Sequence, residues 1–216
     1  MTARIGVIGS GVVGRTLAGG FLNAGHPVLL GSRDVDKLAS IKSELGDSLQ
    51  TGSVADAVRF ADIVIFAVKG SMAEIAIKSA DPEKLAGKVV IDTTNPIADA
   101  APVNGVLQFF TGPNDSLLER LQRAAPKARF VKAWSCVGSA FMIHPKFPGG
   151  RPTMFICGND TGAKSQVSDL LKGFGWDCED MGKAESARAI EPLCQLWCIP
   201  GLAENRWTHA FKLLKM

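Results

Sequence analysis

Gly9-Ser10-Gly11-Val12-Val13-Gly14 has the form G-x-G-x-x-G. Such a turn carries chemistry where it closes a strand and opens a helix. The first turn of a helix has free N–H groups and a partial positive charge, and both suit a pyrophosphate. The flanks here fit. Arg4–Ile8 is an apolar run of strand length, and Val13, Leu17, Phe21 and Leu22 recur at helical spacing over 12–24. Gly9 permits the tight turn, Gly11 lets phosphate reach the backbone, and Gly14 lets helix and strand pack closely. Ser10, Val12 and Val13 complete the cradle. The alternative, a glycine turn that binds nothing, is disfavoured by this context.

The residues that end the second strand, Val28–Leu30, decide which dinucleotide fits. An acid there would accept hydrogen bonds from a ribose diol. The sequence instead reads Gly31-Ser32-Arg33, with Lys37 one helical turn further on. A hydroxyl, a guanidinium and an ammonium suit a 2′-phosphate, so NADP(H) is the expected cofactor. Solvated charges paired with Asp34 and Asp36 are the alternative. Ligands on such sheets lie beyond the carboxyl ends of the strands. Ala67, Val68 and Lys69, then Asn95 and Pro96, then Ala133 and Trp134 are therefore expected to line the nicotinamide side. Thr93 and Thr94 serve equally well as turn caps, and a lone Trp such as Trp134 is more often a core aromatic.

The elements that position these residues alternate in type. Strands are expected at 62–68, 88–92, 129–134, 153–157 and 177–180, with helices at 36–45, 72–79, 115–125 and 163–174. Loops fill 98–113 and 135–152, and 184–214 reads as mostly helical, broken at Pro192 and Pro200-Gly201. The fold class is α/β, a Rossmann-type, doubly wound, mostly parallel sheet. The division is a dinucleotide-binding domain over 1–135 and a small C-terminal α/β portion over 136–216 on the acceptor side.

Bulk composition excludes several classes. The net charge of +3, with scattered Lys and Arg, lacks the basic stripe of a nucleic-acid binder. No apolar run approaches the roughly 20 residues of a membrane span, and the first residues do not read as a signal peptide. Five cysteines at irregular spacing fit a reducing compartment, so a cytoplasmic location is expected. Cys194 and Cys198, four apart, read as buried thiols, and no metal site is expected. Arg188 and Glu191, three apart, read as a local ion pair.

Tyr is absent, which removes the tyrosine acid of short-chain dehydrogenases, and the three His are His26, His144 and His209. Only His144 could donate a proton, and its Pro-rich loop suggests a surface residue. No catalytic side chain is expected. Residues 141–151 could instead cover an acceptor, with His144, Lys146 and Arg151 attracting its anionic tail, or carry ordinary loop charges.

The chain resembles the NADP oxidoreductases that use coenzyme F420. The matching signatures are Ile5–Gly14, Gly31-Ser32-Arg33-Asp34, Ile91–Pro96, Phe130–Trp134, Thr153–Asp160 and Glu185–Leu193. The resemblance implies a homodimer, hydride transfer between NADPH and a deazaflavin, and NADP contacts from Ser10 to Val13, Ser32, Arg33 and Lys37. Ser135-Cys136 stands where family members often carry Asn-Thr. The domain is also similar to the cytosolic part of metalloreductases. Coenzyme F420, FMN, a ferric chelate and an imine are the acceptors to separate, and a non-catalytic NADP(H) sensor is the reading from another class.

Overall fold

The computed structural model describes residues 2–216. Six parallel strands form the main sheet: β1 (Ile5–Ile8), β2 (Val28–Gly31), β3 (Leu49–Gly52), β4 (Ile63–Phe66), β5 (Val89–Asp92) and β6 (Arg129–Lys132). Their spatial order is β3-β2-β1-β4-β5-β6, so the winding reverses between β1 and β4. That reversal opens a crevice at the carboxyl edge. The register aligns Gly52, Gly31, Ile8, Phe66, Asp92 and Lys132 in one row across the sheet. Each residue that follows this row enters a turn on the same rim.

Strands β1, β2, β4 and β5 are buried at every position, as parallel strands covered on both faces must be. Helices α1 (Val12–Asn23) and α2 (Leu38–Leu45) cover one face, together with Trp134 and Trp176. Helices α3 (Val54–Phe60), α4 (Ala73–Ala80) and α5 (Leu117–Ala124) cover the other. Alternation along β1 splits its side chains accordingly, with Ile5 and Val7 on the first face and Ile8 on the second.

Beyond β6, strands β7 (Thr153–Ile156) and β8 (Asp177–Asp180) pair in parallel around α6 (Thr161–Gly173). Lys132 N donates to Cys157 O at 2.9 Å and ties this unit to the main sheet. Val167, Leu171 and Trp176 join Val131 and Phe21 in one hydrophobic cluster, so residues after 135 complete the core of the first part. Helices α7 (Ala187–Ile190) and α8 (Pro192–Glu204) follow. No helix among the described residues is long and apolar enough to cross a membrane.

The elements depart from the sequence reading at several points. Strand β3 and helix α3 occupy residues with no assigned element, so the strand after α5 is the sixth of the sheet and not the fifth. The expected break at Pro200-Gly201 does not occur, because α8 runs through it to Glu204. Asn205, in the left-handed region, ends the helix, and its N–H donates to Gly201 O. From 205 onward the chain is neither helix nor strand. Trp207 lies tilted against Trp197 with ring centroids 5.5 Å apart, and Thr153 N donates to Phe211 O at 2.8 Å. Pro192 does mark a boundary: it opens α8, where a missing N–H costs nothing.

Candidate dinucleotide site

At the crevice, Gly9 has φ of 120°, which an L side chain rarely adopts. A Cβ on Gly14 would lie 1.9 Å from Gly9 O, so α1 meets β1 too closely for any larger residue. Around Gly11 the space is open, with nothing within 4 Å of a built Cβ. No side chain caps the start of α1 and no acid sits in its first turn. The free N–H groups of that turn therefore remain for an anion. Gly31 serves packing. A Cβ there would meet Ala57 Cβ at 2.8 Å and Ser53 O at 2.9 Å, so close approach of α3 requires the glycine.

Two cavities of ≈ 220 Å³ and ≈ 360 Å³ share Gly11, Ala67, Val68 and Lys69, and together they form one trough along the rim. Gly9, Ser10, Ser32 and Arg33 line one end, with Met72 and Ile75 opposite. Val12, Val13, Thr93, Thr94, Asn95 and Ile97 line the other. At the first end Ser10 Oγ and Ser32 Oγ are 3.4 Å apart, and Ser32 Oγ accepts from Asp34 N at 3.1 Å. The exposed Arg33 guanidinium stands beside them. Lys37 does not line the trough; its ammonium lies 2.9 Å from Asp34, and that hydrogen bond holds the Asp34 carboxyl below its usual range. Lys69 reaches across the rim to pair with Asp99.

At the second end the two threonines act as turn caps. Thr93 Oγ1 donates to Phe66 O at 2.9 Å, while Thr94 N and Oγ1 both donate to Asp92 Oδ1. Asn95 Nδ2 donates to Ser135 O at 2.7 Å, which fixes the direction of the amide. Its Oδ1 and the Ser135 hydroxyl are buried without a partner. A trough with open N–H groups where its two cavities meet at Gly11, and Asn95 lining its second end, fits a dinucleotide that carries a carboxamide.

Pro96, Ala133 and Trp134 do not reach the trough surface. Pro96 and Ala133 are buried, and Ala133 N donates to Asp92 O. Trp134 is 1% exposed and packs against Phe21 and Phe174, with Nε1 donating to Met142 O at 3.1 Å. Its positive φ of 56° turns the ring into the core and away from the rim. The 141–151 loop does not cover the trough either. His144 N donates to Phe174 O, and the Ile143 side chain lies against Gly20 of α1. His26 bonds to Ala3 O, and His209 bonds to Trp197 O while stacking on that ring. Cys194 and Cys198 are thiols in mutual contact, with the Cys194 proton held tightly by its neighbour. No cluster that could hold a metal occurs among the described residues.

Sequence reasoning missed the charges beneath the second end. Lys132, Asp92 and Glu191 are all buried. Lys132 Nζ lies 2.6 Å from Asp92 Oδ2 and 2.8 Å from Glu191 Oε1. Burial alone would push the ammonium toward its neutral form, but the two carboxylates outweigh that and raise its pKa above the usual lysine value. Glu191 is therefore not the partner of Arg188. Arg188 instead forms a bidentate pair with Glu119 of α5, at 2.9 and 2.6 Å, which holds the Glu119 carboxyl below its usual range. The available signal was a lysine closing one apolar strand and an aspartate closing another, which the register sets side by side.

Residues 4–96 match the family described as NADP oxidoreductase, coenzyme F420-dependent. A solved protein from Arthrobacter sp. FB24, described as a candidate F420-dependent NADP reductase, is 32% identical with a TM-score of 0.91, covering 99% of this chain and 100% of that one. The metalloreductase STEAP3 of Rattus norvegicus is 30% identical over 92% of this chain and 38% of its own length. The chain thus spans under two fifths of the curated relatives it matches. A reductive aminase from Aspergillus terreus, solved with NADPH and ethyl levulinate, has a TM-score of 0.66 at 19% identity, covering 94% of this chain and 62% of that one, and is alike in fold. The chain belongs to the coenzyme F420-dependent NADP oxidoreductase family.

Proposed function

We propose that this NADP-dependent oxidoreductase passes hydride between NADPH and a flat conjugated acceptor of the deazaflavin class, coenzyme F420. The observation that carries this reading is the chemistry of the second end of the trough. Val12, Val13, Ala67, Val68 and Ile97 wall it, and Lys69 is its one titratable side chain among the described residues. A carbonyl or imine substrate calls for a positioned acid. A ring stacked on a ring calls mainly for orientation, with reacting atoms roughly 3–3.5 Å apart.

When bound, NADPH supplies the hydride. The start of α1 and Ser10 would hold the pyrophosphate, and Ser32 and Arg33 would hold the 2′-phosphate. Asn95 Oδ1 would accept from the carboxamide N–H and so choose which ring face is presented. The apolar wall leaves the opposite face free for a second ring, and the open rim lets solvent supply the proton that the reduced acceptor takes up.

Anaerobic oxidation of NADPH by the purified protein tests this, with coenzyme F420 and FMN offered separately and NADH as the donor control. Rapid turnover of NADPH with F420, and little with NADH, is the expected result. Turnover with FMN alone would favour flavin or metal reduction, the reading to which the STEAP3 likeness points. NADPH binding without turnover on either would favour a sensor.

A further inference from the structure

The buried ion cluster ends on the residue next to Asn95. Lys132 Nζ donates to Asp92 Oδ2 at 2.6 Å, to Thr94 O at 2.8 Å and, at 2.8 Å, to Glu191 Oε1. An ammonium has three N–H bonds, so this set saturates it. Asp92 uses its other oxygen on Thr94 N and Oγ1. Glu191, at the joint of α7 and α8, also accepts from Leu117 N at 2.9 Å and Leu118 N at 3.0 Å, in the first turn of α5. One connected network therefore runs from the C-terminal helices, through β6, to both backbone polar groups of Thr94.

An apolar trio of similar volume would stabilise a fold as well as or better than buried charges do. Apolar contacts, however, do not fix the direction of a carbonyl. The cluster does so one residue before Asn95, whose Oδ1 is buried and unpartnered. We propose that Lys132 and Glu191 are positioning residues for the nicotinamide end: Lys132 pins the Thr94 carbonyl, Glu191 pins Lys132, and Asn95 Oδ1 is thereby aimed at the carboxamide of the dinucleotide. This rests on the NADP(H) reading above. It assigns the α7–α8 joint, which touches no part of the trough, a role in cofactor orientation.

The test compares two ligands on the full chain: NADPH, and 2′-phospho-ADP-ribose, which keeps the adenosine half and lacks the nicotinamide. Glu191→Gln is expected to weaken NADPH about five- to tenfold, the worth of one well-placed hydrogen bond, and to leave the fragment's affinity unchanged. Asn95→Leu is expected to give the same selective loss. Glu191→Gln added to Asn95→Leu is expected to cost little more, since both act on one contact. Should Glu191→Gln not fold, Thr94→Val enters the same cycle. Equal weakening of both ligands marks a merely structural role and overturns the proposal, as does loss of neither ligand or additivity in the cycle. Wild-type protein that binds neither ligand overturns the dinucleotide reading itself. Wild-type protein that binds both, with variants that lose no selectivity, overturns only the positioning role.

Discussion

The two ends of the trough use charge in opposite ways. At the end proposed for the adenosine half Arg33 and Lys37 are exposed, and Lys37 and Asp34 hold each other only at the surface. Beneath the end proposed for the nicotinamide Lys132, Asp92 and Glu191 are sealed from water and saturated with partners. An exposed charge adds little to stability, because water already serves it, and it stays free to meet a ligand. A buried charge is committed to its neighbours, and removing one partner strands the others. The contrast predicts that cofactor selectivity can be altered at one end without cost to the fold, while the other end tolerates only concerted change.

The largest effect falls on the buried side. Lys132→Met leaves two carboxylates without their cation and is expected to cost about 3–5 kcal/mol in urea unfolding. Adding Asp92→Asn and Glu191→Gln is expected to recover part of that loss, since the stranded charges are then gone. If the single change costs under about 1 kcal/mol, the cluster is not the rigid base assumed for this end.

Arg33→Ala is next. It is expected to weaken NADPH by about 1.5–3 kcal/mol, the worth of hydrogen bonds to a charged group, with NADH affinity and the unfolding midpoint unchanged. Fluorescence titration with both nucleotides decides it. An equal loss for NADH would show that Arg33 acts on the shared pyrophosphate, and the division between the two ends would blur. Lys37→Ala is expected to have a smaller effect, about twofold on NADPH, because its ammonium is paired with Asp34 away from the trough wall. A loss as large as that of Arg33→Ala would mean the ion pair opens to admit the 2′-phosphate.

The adenosine end was the more legible of the two in sequence, for the same physical reason. Its proposed role rests on local patterns: a strand, a glycine turn, a helix, and a few polar residues at a fixed distance along the chain. The end proposed for the nicotinamide depends on contacts between residues 38 to 74 positions apart, such as Lys132 with Thr94 and Leu117 with Glu191. No local spacing encodes these. Glu191 even carries a misleading local signal, an arginine three residues earlier that pairs elsewhere. Helix α3 was missed despite a readable start, in which Ser53 Oγ accepts from Asp56 N while the Asp56 carboxylate accepts from Ser53 N. Strand β3 was missed because it is a half-exposed edge, Leu49-Gln50-Thr51-Gly52, with one fully buried side chain. The strand expected over 129–134 ends at Lys132, and a positive φ at Trp134, which the sequence does not announce, turns the ring inward.

The smallest effect comes from an exposed ion pair with no ligand to meet, and it calibrates the contrast. Arg4 and Asp62 sit just before β1 and β4, at the amino edge of the sheet opposite the trough. Arg4 Nη2 lies 2.7 Å from Asp62 Oδ1, and Arg4 N also donates to Asp62 Oδ2 at 2.9 Å. These hydrogen bonds, led by the guanidinium, lower the Asp62 pKa from 3.8 to about 2. A carboxylate depressed in the folded state stabilises the protein above its unfolded pKa and loses that contribution as pH falls through the folded value. The window for this group is therefore between about pH 4 and pH 2. Both side chains are about half exposed, so solvent screens most of the gain. Arg4→Met is thus expected to lower the urea midpoint by at most about 0.3 M at neutral pH, with the gap to wild type closing as the solution is acidified through that window. A gap as large as that of Lys132→Met, or one that widens in acid, would show that burial is not what separates the two kinds of charge in this protein.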